Sequence, residues 1–476
     1  MIDPPLSEFI KAYDVRGLVP QQLNVPVARA IGAAFARVVA LPEGATRIVV
    51  GHDMRPSSPE LSEAFARGAA ANGLDVTLIG LCSTDGLYYA SGTLDCPGAM
   101  FTASHNPAEY NGIKMCRAGA RPVGQDSGLG AITSVAQAIV DGAEPEVPQA
   151  DHGSHGVTPG SMVEQDLLAD YGTFLRGLVD LSGSRRLTVV VDAGNGMGGH
   201  TVPSVLAGLP LDIVPLYFEL DGTFPNHEAN PLEPENLRDL QKAVVEHGAD
   251  IGLAFDGDAD RCFVVDERGE PVSPSAITAL VATREIAKEV ATGTPAGDVA
   301  IVHNVISSRA VPEIVTEHGA RPVRTRVGHS FIKAEMARAD AVFGGEHSAH
   351  YYFRDFWFAD TGMLAAMHVL AALGEQERPL SALVAEFDRY PASGEINSRV
   401  EDAAAAVDRV LAWAPDDAST DHLDGLTLGS VSAPMWWLNL RRSNTEPLLR
   451  LNVEAQDTET MERVRDEVLA LIRQDS

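Results

Sequence analysis

The sequence is short of cysteine, and this shortage narrows the kinds of protein it can encode. Its 476 residues include four cysteines, which are Cys82, Cys96, Cys116 and Cys262. They lie far apart and form no Cys-x-x-Cys pair, which argues against a structural zinc site and against a disulfide framework. The start, Met1-Ile-Asp-Pro-Pro-Leu6, also lacks the basic and apolar regions of a signal peptide. We therefore expect a cytoplasmic protein.

Positive charge is scarce as well. Lys and Arg number 36 against 66 Asp and Glu, which gives a net charge of −30. Nucleic acids and anionic membranes are bound largely through Lys and Arg, so we expect neither as a partner. We also find no uninterrupted apolar run that is long enough to span a bilayer. An anionic substrate would have to be bound by a local cluster of basic and polar groups.

A pattern of strand, helix, strand, helix, strand, loop and strand occurs three times along the chain. It begins near Arg47, near Thr188 and near Val299. Such a repeat predicts mixed α/β layers. After about residue 394 the order of strands and helices changes and is typical of a smaller α+β domain. A segment rich in Pro, Gly and Ser, from about 142 to 162, predicts a linker.

The predicted fold class is α/β, with three repeated mixed α/β domains and a smaller C-terminal α+β domain. One loop in each domain carries unusual polar residues. We place the domains at 1–150 with a loop around Ser104, 151–262 with a loop of aspartates, 263–380 with a loop around Glu346, and 381–476 with a loop around Arg441.

The first loop is Thr102-Ala-Ser-His-Asn-Pro107, which lies between two apolar, strand-like runs. A serine hydroxyl on a short loop of a rigid scaffold is displayed for chemistry. Ser104 is therefore our candidate nucleophile, with His105 beside it. Ser and Asn also favour turns through local hydrogen bonds to the backbone, so a purely structural turn stays open on this loop alone.

The second loop, Asp256-Gly-Asp-Ala-Asp260, places three carboxylates on alternate positions directly after a predicted strand. Like charges this close repel unless a cation binds or one carboxylate takes up a proton, and a hard divalent ion is favoured. A calcium-binding EF-hand is excluded because Arg261 occupies the position that needs glycine and strands flank the loop. A solvated acidic turn and a phosphatase nucleophile at Asp256 remain as alternatives.

The last loop, Arg441-Arg-Ser-Asn-Thr445, is a candidate phosphate site. The planar guanidinium of Arg matches phosphate oxygens, and Ser443, Asn444 and Thr445 add neutral donors. A solvated turn is the alternative. Two further segments, Lys11–Gly17 and Arg326–His329, carry weaker signals, because a lone histidine or a Tyr and Arg pair is more often structural.

Taken together and in this order, the motifs Thr102–Pro107, Asp256–Arg261, Gly345–His350 and Arg441–Thr445 resemble those of the α-D-phosphohexomutases. The resemblance covers nearly the whole chain and is nearest to the bacterial branch that acts on mannose and glucose phosphates. The chain departs from that branch at His347, where Met is common, and at Arg326-Val327, where Lys-Thr is common. These departures leave the sugar specificity open.

The resemblance implies four domains around a central cleft, and it implies that Ser104 is carried as phosphoserine. Mg²⁺ would be bound by Asp256, Asp258, Asp260 and a phosphate oxygen on Ser104. Catalytic residues would be Ser104, His105 and Lys114, with Arg261 beside the metal. The substrate would be bound by Tyr13, Arg16, Arg326, Gly328, His329, Glu346, Ser348, Arg441, Ser443, Asn444 and Thr445.

The implied reaction is the reversible interconversion of mannose 6-phosphate and mannose 1-phosphate through a hexose 1,6-bisphosphate, with glucose phosphates as further substrates. Alternatives are a phosphoglucomutase, a phosphoglucosamine mutase and a sugar-phosphate phosphatase. A binding protein without turnover is disfavoured because Ser104 and the three aspartates are all present. The partners we expect are small-molecule hexose phosphates, and the protein is expected to be a monomer or a dimer.

Overall fold

The structure is a computed structural model that describes residues 5–11, 14–147, 157–430, 432–442 and 448–474. Four predicted substrate residues, Tyr13, Ser443, Asn444 and Thr445, lie outside the described residues. The middle of the predicted linker, 148–156, lies outside them too. The chain divides into two compact units, which are Met1–Val272 with Ser348–Ser381 (unit 1) and Ser273–His347 with Ala382–Ser476 (unit 2).

The first sheet of unit 1 contains the strands β1 (Ile10–Lys11), β2 (Asp14–Leu18), β3 (Arg47–His52), β4 (Asp75–Leu81), β5 (Gly98–Phe101), β6 (Tyr110–Arg117), β7 (Arg121–Pro122) and β8 (Met162–Glu164). Its order is β1-β2-β6-β5-β3-β4-β8, and β7 pairs with β6. β3 is parallel to β4 and to β5, whereas β6 is antiparallel to β5. The helices are α1 (Val25–Phe35), α2 (Ser58–Ala71), α3 (Thr84–Leu94) and α4 (Leu129–Val140).

α1 is a helix that the sequence analysis missed. With the two helical turns that follow it, the segment Val25–Glu43 is long and apolar enough to cross a membrane by length and composition alone, although Arg29 and Arg37 interrupt its apolar residues. Its apolar side chains belong to the core of unit 1. A Cβ atom added to Gly32 would lie 2.1 Å from the carbonyl oxygen of Phe65 in α2. The glycine therefore lets the two helix backbones touch, as they do in a buried core.

The second sheet of unit 1 contains β9 (Leu187–Asp192), β10 (Leu211–Leu216), β11 (Ile251–Phe255), β12 (Cys262–Asp266) and β13 (Pro271–Val272), in the order β10-β9-β11-β12-β13. β9 is parallel to β10 and β11, and β12 is antiparallel to β11. This arrangement repeats that of β4-β3-β5-β6 and confirms the predicted internal repeat. The helices are α5 (Leu168–Leu178), α6 (Gly198–Val205) and α7 (Arg238–His247).

The third repeat begins in unit 2. Its elements there are α8 (Pro274–Ala291), β14 (Ala300–Asn304), α9 (Ala310–Glu317), β15 (Arg321–Thr325), α10 (His329–Ala339) and β16 (Phe343–Gly345). β14 is parallel to both β15 and β16, as in the other repeats. Unit 1 contains the antiparallel pair β17 (Tyr351–Phe353) and β18 (Ala359–Asp360), followed by α11 (Gly362–Gly374). The short helix α12 (Leu380–Val384) follows in the chain.

The C-terminal part of unit 2 is an antiparallel sheet covered by two helices. Its elements are β19 (Ala392–Arg399), α13 (Ala403–Trp413), β20 (Ser419–Asp421), β21 (Leu426–Ser430), β22 (Trp436–Arg442), β23 (Leu448–Ala455) and α14 (Thr458–Ile472). The sheet order is β19-β23-β22-β21-β20. One face of the sheet and the apolar faces of both helices form a single core, which confirms the predicted α+β domain.

Candidate active site

Several site residues follow directly after parallel strands of unit 1. In the order β4-β3-β5, Thr84 follows β4, Asp53 follows β3 and Ser104 follows β5. Asp256 follows β11, the corresponding strand of the second sheet. The carboxyl ends of parallel strands meet at one edge of a sheet, where α/β proteins bind their ligands. The strand order alone therefore places the residues of each sheet at one edge of that sheet, independently of the specific contacts of their side chains.

Ser104 is held between a carboxylate and a guanidinium. Its Oγ donates a hydrogen bond to Asp256 Oδ2 at 2.8 Å and accepts one from Arg261 Nη2 at 3.2 Å. The ring of His105 lies beside both groups, with Nδ1 at 3.2 Å from Ser104 Oγ and in contact with Arg261 Nη2. The backbone of Ser104 has φ = 50°, a left-handed conformation that is uncommon and costly for serine and typical of functional sites.

Arg55 stabilises the Ser104 loop through hydrogen bonds to its backbone. Its fully buried guanidinium donates to the carbonyl oxygens of Ser104 at 2.9 Å, Asn106 at 2.6 Å, Pro107 at 2.8 Å and Tyr110 at 2.9 Å. One guanidinium thus binds four carbonyl oxygens of the same loop. Arg55 thereby stabilises the unusual backbone conformation that displays the Ser104 hydroxyl.

The three aspartates are buried and are neutralised by two cationic side chains. Lys114, on β6, places its Nζ at 2.7 Å from Asp258 Oδ2 and 2.6 Å from Asp260 Oδ2. Arg261 donates to Asp256 Oδ2 through Nε at 2.9 Å and Nη2 at 2.7 Å. All three carboxylates are at most 1% exposed, which excludes the solvated acidic turn.

Burial and these partners shift the ionisation of the site. Burial raises the pKa of Asp256 to about 7, although Arg261 opposes the shift. Burial also disfavours the charged form of Asp258, but the ammonium of Lys114 outweighs it and holds the pKa of this carboxyl well below its usual range. Burial and the neighbouring Arg261 lower the pKa of His105 well below its ordinary value. The imidazole of His105 is therefore neutral at pH 7.

The aspartates fit a divalent cation. One carboxylate oxygen from each of Asp256, Asp258 and Asp260 lies within 4.8 Å of the others. Asp258 Oδ1 and Asp260 Oδ1 are buried and have no hydrogen-bond partner among the described residues. Carboxylate oxygens are the donors that hard divalent ions prefer. Lys114 contributes one positive charge beside Asp258 and Asp260, whereas a divalent ion bound to the aspartates would contribute two.

Ser348 and His350 extend the same site. His350 Nε2 lies 3.8 Å from Asp260 Oδ1, and its Nδ1 lies 2.9 Å from Ser348 Oγ. Asp260, His350 and Asp360 form a second group of possible metal ligands within 4.8 Å. Because it shares Asp260 with the first group, we treat both groups as one site.

Arg16, also in unit 1, donates to Asp14 Oδ2 at 2.7 Å and to Asn106 on the Ser104 loop. The structure thus brings this predicted substrate residue together with the predicted nucleophile.

Four predicted substrate residues of the described chain lie in unit 2 between β15 and β16 or at their ends. The backbone N–H of Gly328 donates to Glu346 Oε1 at 3.1 Å, which brings these two residues together. His329 begins α10. The guanidinium of Arg326 lies over the ring of Phe331, 4.4 Å from its centre.

Arg441, in β22, donates to Glu395 Oε2 at 2.6 Å. Arg450 lies 3.2 Å from the other oxygen of the same carboxylate. A phosphate bound at Arg441 would therefore have to compete with Glu395, so the role of Arg441 stays a prediction.

Comparison with known proteins decides the family. Four models of the phosphoglucomutase/phosphomannomutase family match consecutive parts of the chain. The α/β/α domains I, II and III match residues 8–139, 169–269 and 273–390, and the C-terminal domain matches residues 395–471. The chain belongs to this family. It is a phosphohexomutase, an isomerase that acts on hexose phosphates.

Relatives match the phosphohexomutase over almost its whole length. A protein of Xanthomonas campestris pv. campestris named as one of the phosphohexose mutases is 42% identical over 467 residues, which cover 97% of this chain and 98% of the relative. A phosphomannomutase of Escherichia coli is 40% identical over 473 residues, with the same coverage. The crystal structure of a phosphoglucomutase/phosphomannomutase family protein from Burkholderia thailandensis has a TM-score of 0.85 and 30% identity, and covers 99% of both chains.

Sequence reasoning missed three residues of the phosphohexomutase site. Neither Arg55 nor Thr84 belongs to a recognised motif. Each lies three residues after the end of a strand, β3 for Arg55 and β4 for Thr84. The rule that ligands bind at the carboxyl ends of parallel strands would have found them once the strand order was known. His350 stood inside the quoted third motif and was given no role, because its contact with Asp260 joins residues that are far apart in the sequence.

Proposed function

We propose that this phosphohexomutase is a phosphomannomutase that interconverts mannose 6-phosphate and mannose 1-phosphate and also accepts glucose phosphates. The relatives named phosphomannomutase support the sugar. The observation that carries the proposal is the hydroxyl of Ser104, a buried residue, which donates a hydrogen bond to Asp256 and accepts one from Arg261 beside two more carboxylates.

In the proposed reaction Ser104 carries a phosphoryl group in the resting enzyme. The bond between Ser104 Oγ and phosphorus breaks as a free sugar hydroxyl forms a new bond to phosphorus, and the hydroxyl proton passes to a basic side chain. The product is a hexose 1,6-bisphosphate. Its other phosphoryl group then returns to Ser104, which leaves the isomeric monophosphate and the enzyme as it began.

The residues of the site have distinct proposed roles. Asp256, Asp258, Asp260 and a phosphate oxygen on Ser104 would hold Mg²⁺, which when bound spreads the negative charge of the transferred group. His105 is the first acid/base candidate, because its Nδ1 lies 3.2 Å from Ser104 Oγ. Arg261 is aimed at Ser104 Oγ and so stabilises charge that develops there. Lys114 neutralises Asp258 and Asp260 and is the second acid/base candidate.

Other parts of the sequence-based prediction stand as proposals. Hexose 1,6-bisphosphate is the proposed intermediate and activator, the oligomeric state is proposed as monomer or dimer, and the cytoplasm is the proposed compartment. The domain limits near residues 150, 262 and 380 are proposed as well. The substrate roles stay predictions for Tyr13, Arg16, Arg326, Gly328, His329, Glu346, Ser348, Arg441, Ser443, Asn444 and Thr445.

The test is a pair of coupled assays, with mannose 1-phosphate and glucose 1-phosphate side by side, in Mg²⁺ and a trace of hexose 1,6-bisphosphate. We expect both sugars to be isomerised and Ser104→Ala to lose turnover. Release of inorganic phosphate is measured in the same samples. Phosphate release in place of isomerisation would make the protein a phosphatase, and turnover of glucose 1-phosphate alone would make it a phosphoglucomutase.

A further inference from the structure

Thr84 joins helix α3 to the aspartate loop by two hydrogen bonds. It is the first residue of α3 and is fully buried. Its backbone N–H donates to the carbonyl oxygen of Asp258 at 3.0 Å, and its Oγ1 donates to Asp258 Oδ2 at 2.6 Å. No motif of the family resemblance includes this residue. Its hydroxyl is nevertheless hydrogen-bonded directly to Asp258, a proposed metal ligand.

The two oxygens of Asp258 have different surroundings. Oδ2 accepts hydrogen bonds from Thr84 Oγ1 and from Lys114 Nζ. Oδ1 is buried and has no hydrogen-bond partner among the described residues. A buried carboxylate oxygen without a donor is costly unless a ligand satisfies it. The arrangement therefore marks Oδ1 as the oxygen of Asp258 that is available to a cation.

We propose that Thr84 is a positioning residue for the metal site, which holds Asp258 so that Oδ1 faces the divalent cation. This proposal rests on the proposed metal site. The terminal torsion of Asp is broad and has two nearly equivalent settings, so the carboxylate needs an outside contact to select one. A divalent cation bound to Asp258 would repel the ammonium of Lys114, which contacts the same carboxylate. Thr84 is neutral and would keep its hydrogen bond to Asp258 Oδ2 when the cation binds. It would therefore still orient this carboxylate in the metal-bound protein.

The position of Thr84 itself is fixed by its neighbour. The buried carboxylate of Asp85 accepts hydrogen bonds from Tyr171 OH and Thr361 Oγ1, both at 2.7 Å, and from Ser83. These contacts anchor the first turn of α3. A change of the Thr84 hydroxyl alone should therefore leave the helix in place and act only on Asp258.

The experiment measures Mn²⁺ binding by electron paramagnetic resonance, with Mn²⁺ as the probe and all proteins in the same phosphorylation state. Thr84→Val removes the hydroxyl at constant shape, and Thr84→Ser keeps it. Loss of a group that orients a metal ligand typically weakens affinity by about 10- to 100-fold, so we expect a Kd raised by about 10-fold or more in Thr84→Val and near wild type in Thr84→Ser. Thr133→Val is the matched control, because the Thr133 hydroxyl donates to the backbone carbonyl of Leu129 within α4 and lies outside the aspartate loop.

The outcomes separate this proposal from the proposed function. If the wild-type protein binds no Mn²⁺, the metal site itself is wrong and Thr84 has nothing to position. If the wild-type protein binds Mn²⁺ and Thr84→Val binds it equally well, the metal site stands and the role of Thr84 is wrong. Equal weakening in Thr84→Val and Thr84→Ser would also overturn it, because the hydroxyl would then not matter. Thr84→Ala replaces Thr84→Val if the metal-free Val variant does not melt cooperatively.

Discussion

Two cationic side chains, the buried Arg261 and the partly buried Lys114, balance three buried carboxylates at the phosphohexomutase site. The sequence predicted the carboxylates and the need for positive charge beside them. It could not predict that Lys114 bridges Asp258 and Asp260, because that contact joins a strand of one sheet to the loop between two strands of another. The same limit hid Arg55, whose four carbonyl acceptors become visible only when the Ser104 loop has its folded path.

The first prediction concerns Arg55. Arg55 Nε lies 3.2 Å from the buried carboxylate of Asp53. Arg55→Lys keeps a positive charge beside this carboxylate but cannot reach all four carbonyl oxygens of the loop. Each lost hydrogen bond from a charged donor is worth about 1.5–3 kcal/mol, so we expect the free energy of unfolding to fall by about 2–4 kcal/mol. We expect kcat to fall by about 10- to 100-fold, because a small displacement of Ser104 misaligns transfer.

Urea denaturation and the coupled assay measure both effects of Arg55→Lys. The control is Arg67→Lys, on the exposed face of α2, where the ion pair with Glu63 contributes at most about 1 kcal/mol. Normal kinetics in Arg55→Lys would show that the loop does not depend on this guanidinium.

The second prediction concerns His227. Burial alone would lower its pKa, but the hydrogen bond between Nε2 and Asp192 Oδ2, at 2.9 Å, raises the pKa above the ordinary value. The protonated ring is thus favoured in the folded state. Its stabilising contribution is complete below the unfolded pKa of about 6.5 and is lost as the pH rises through the folded pKa.

The measurement for His227 compares wild type with His227→Gln by urea denaturation at several pH values. The difference in the free energy of unfolding should be largest at about pH 6 and smaller at about pH 8.5. A difference that is constant, or that grows with pH, would contradict the assignment of a raised pKa.

At the scale of elements, strands bounded by polar residues were predicted well, whereas the helices α1, α4 and α8 were missed. The runs that became β9 and β11 have clear ends, so their limits agree with the structure to within a residue or two. β8, at Met162–Glu164, begins where the predicted linker ends and was not predicted as a strand. Its three residues pair with β4, and such pairing leaves no local signal.

The third prediction tests the anchor of α3. Burial raises the pKa of Asp85 to about 6, and Tyr171 on α5 donates to its carboxylate. Tyr171→Phe should lower the free energy of unfolding by about 1–3 kcal/mol and leave Mn²⁺ affinity nearly unchanged, since Thr361 and Ser83 still hold the helix. Tyr217→Phe is the control, because its partner Asp239 is exposed. Equal losses of unfolding free energy in both variants would show that the buried hydrogen bond between Tyr171 and Asp85 contributes no more than an exposed one.

At the scale of the whole molecule, the fourth prediction concerns removal of the metal. Lys114 and Arg261 already neutralise much of the carboxylate charge, so the metal-free protein should remain folded by circular dichroism while activity disappears in a chelator. Mg²⁺ at about 100 times its Kd should restore activity and add about 2.7 kcal/mol of stability. Asp258→Asn should lose most of that gain. Full activity in the chelator, with no metal detected in the protein, would contradict the metal site.

Locating the transferable phosphate tests the role of Ser104 most directly. The protein is incubated with hexose 1,6-bisphosphate, and peptide mapping by mass spectrometry then finds the phosphorylated residue. We predict phosphate on Ser104, and its transfer to added mannose 6-phosphate with formation of the bisphosphate. Phosphate on another residue, together with near-normal turnover by Ser104→Ala, would show that Ser104 is not the carrier.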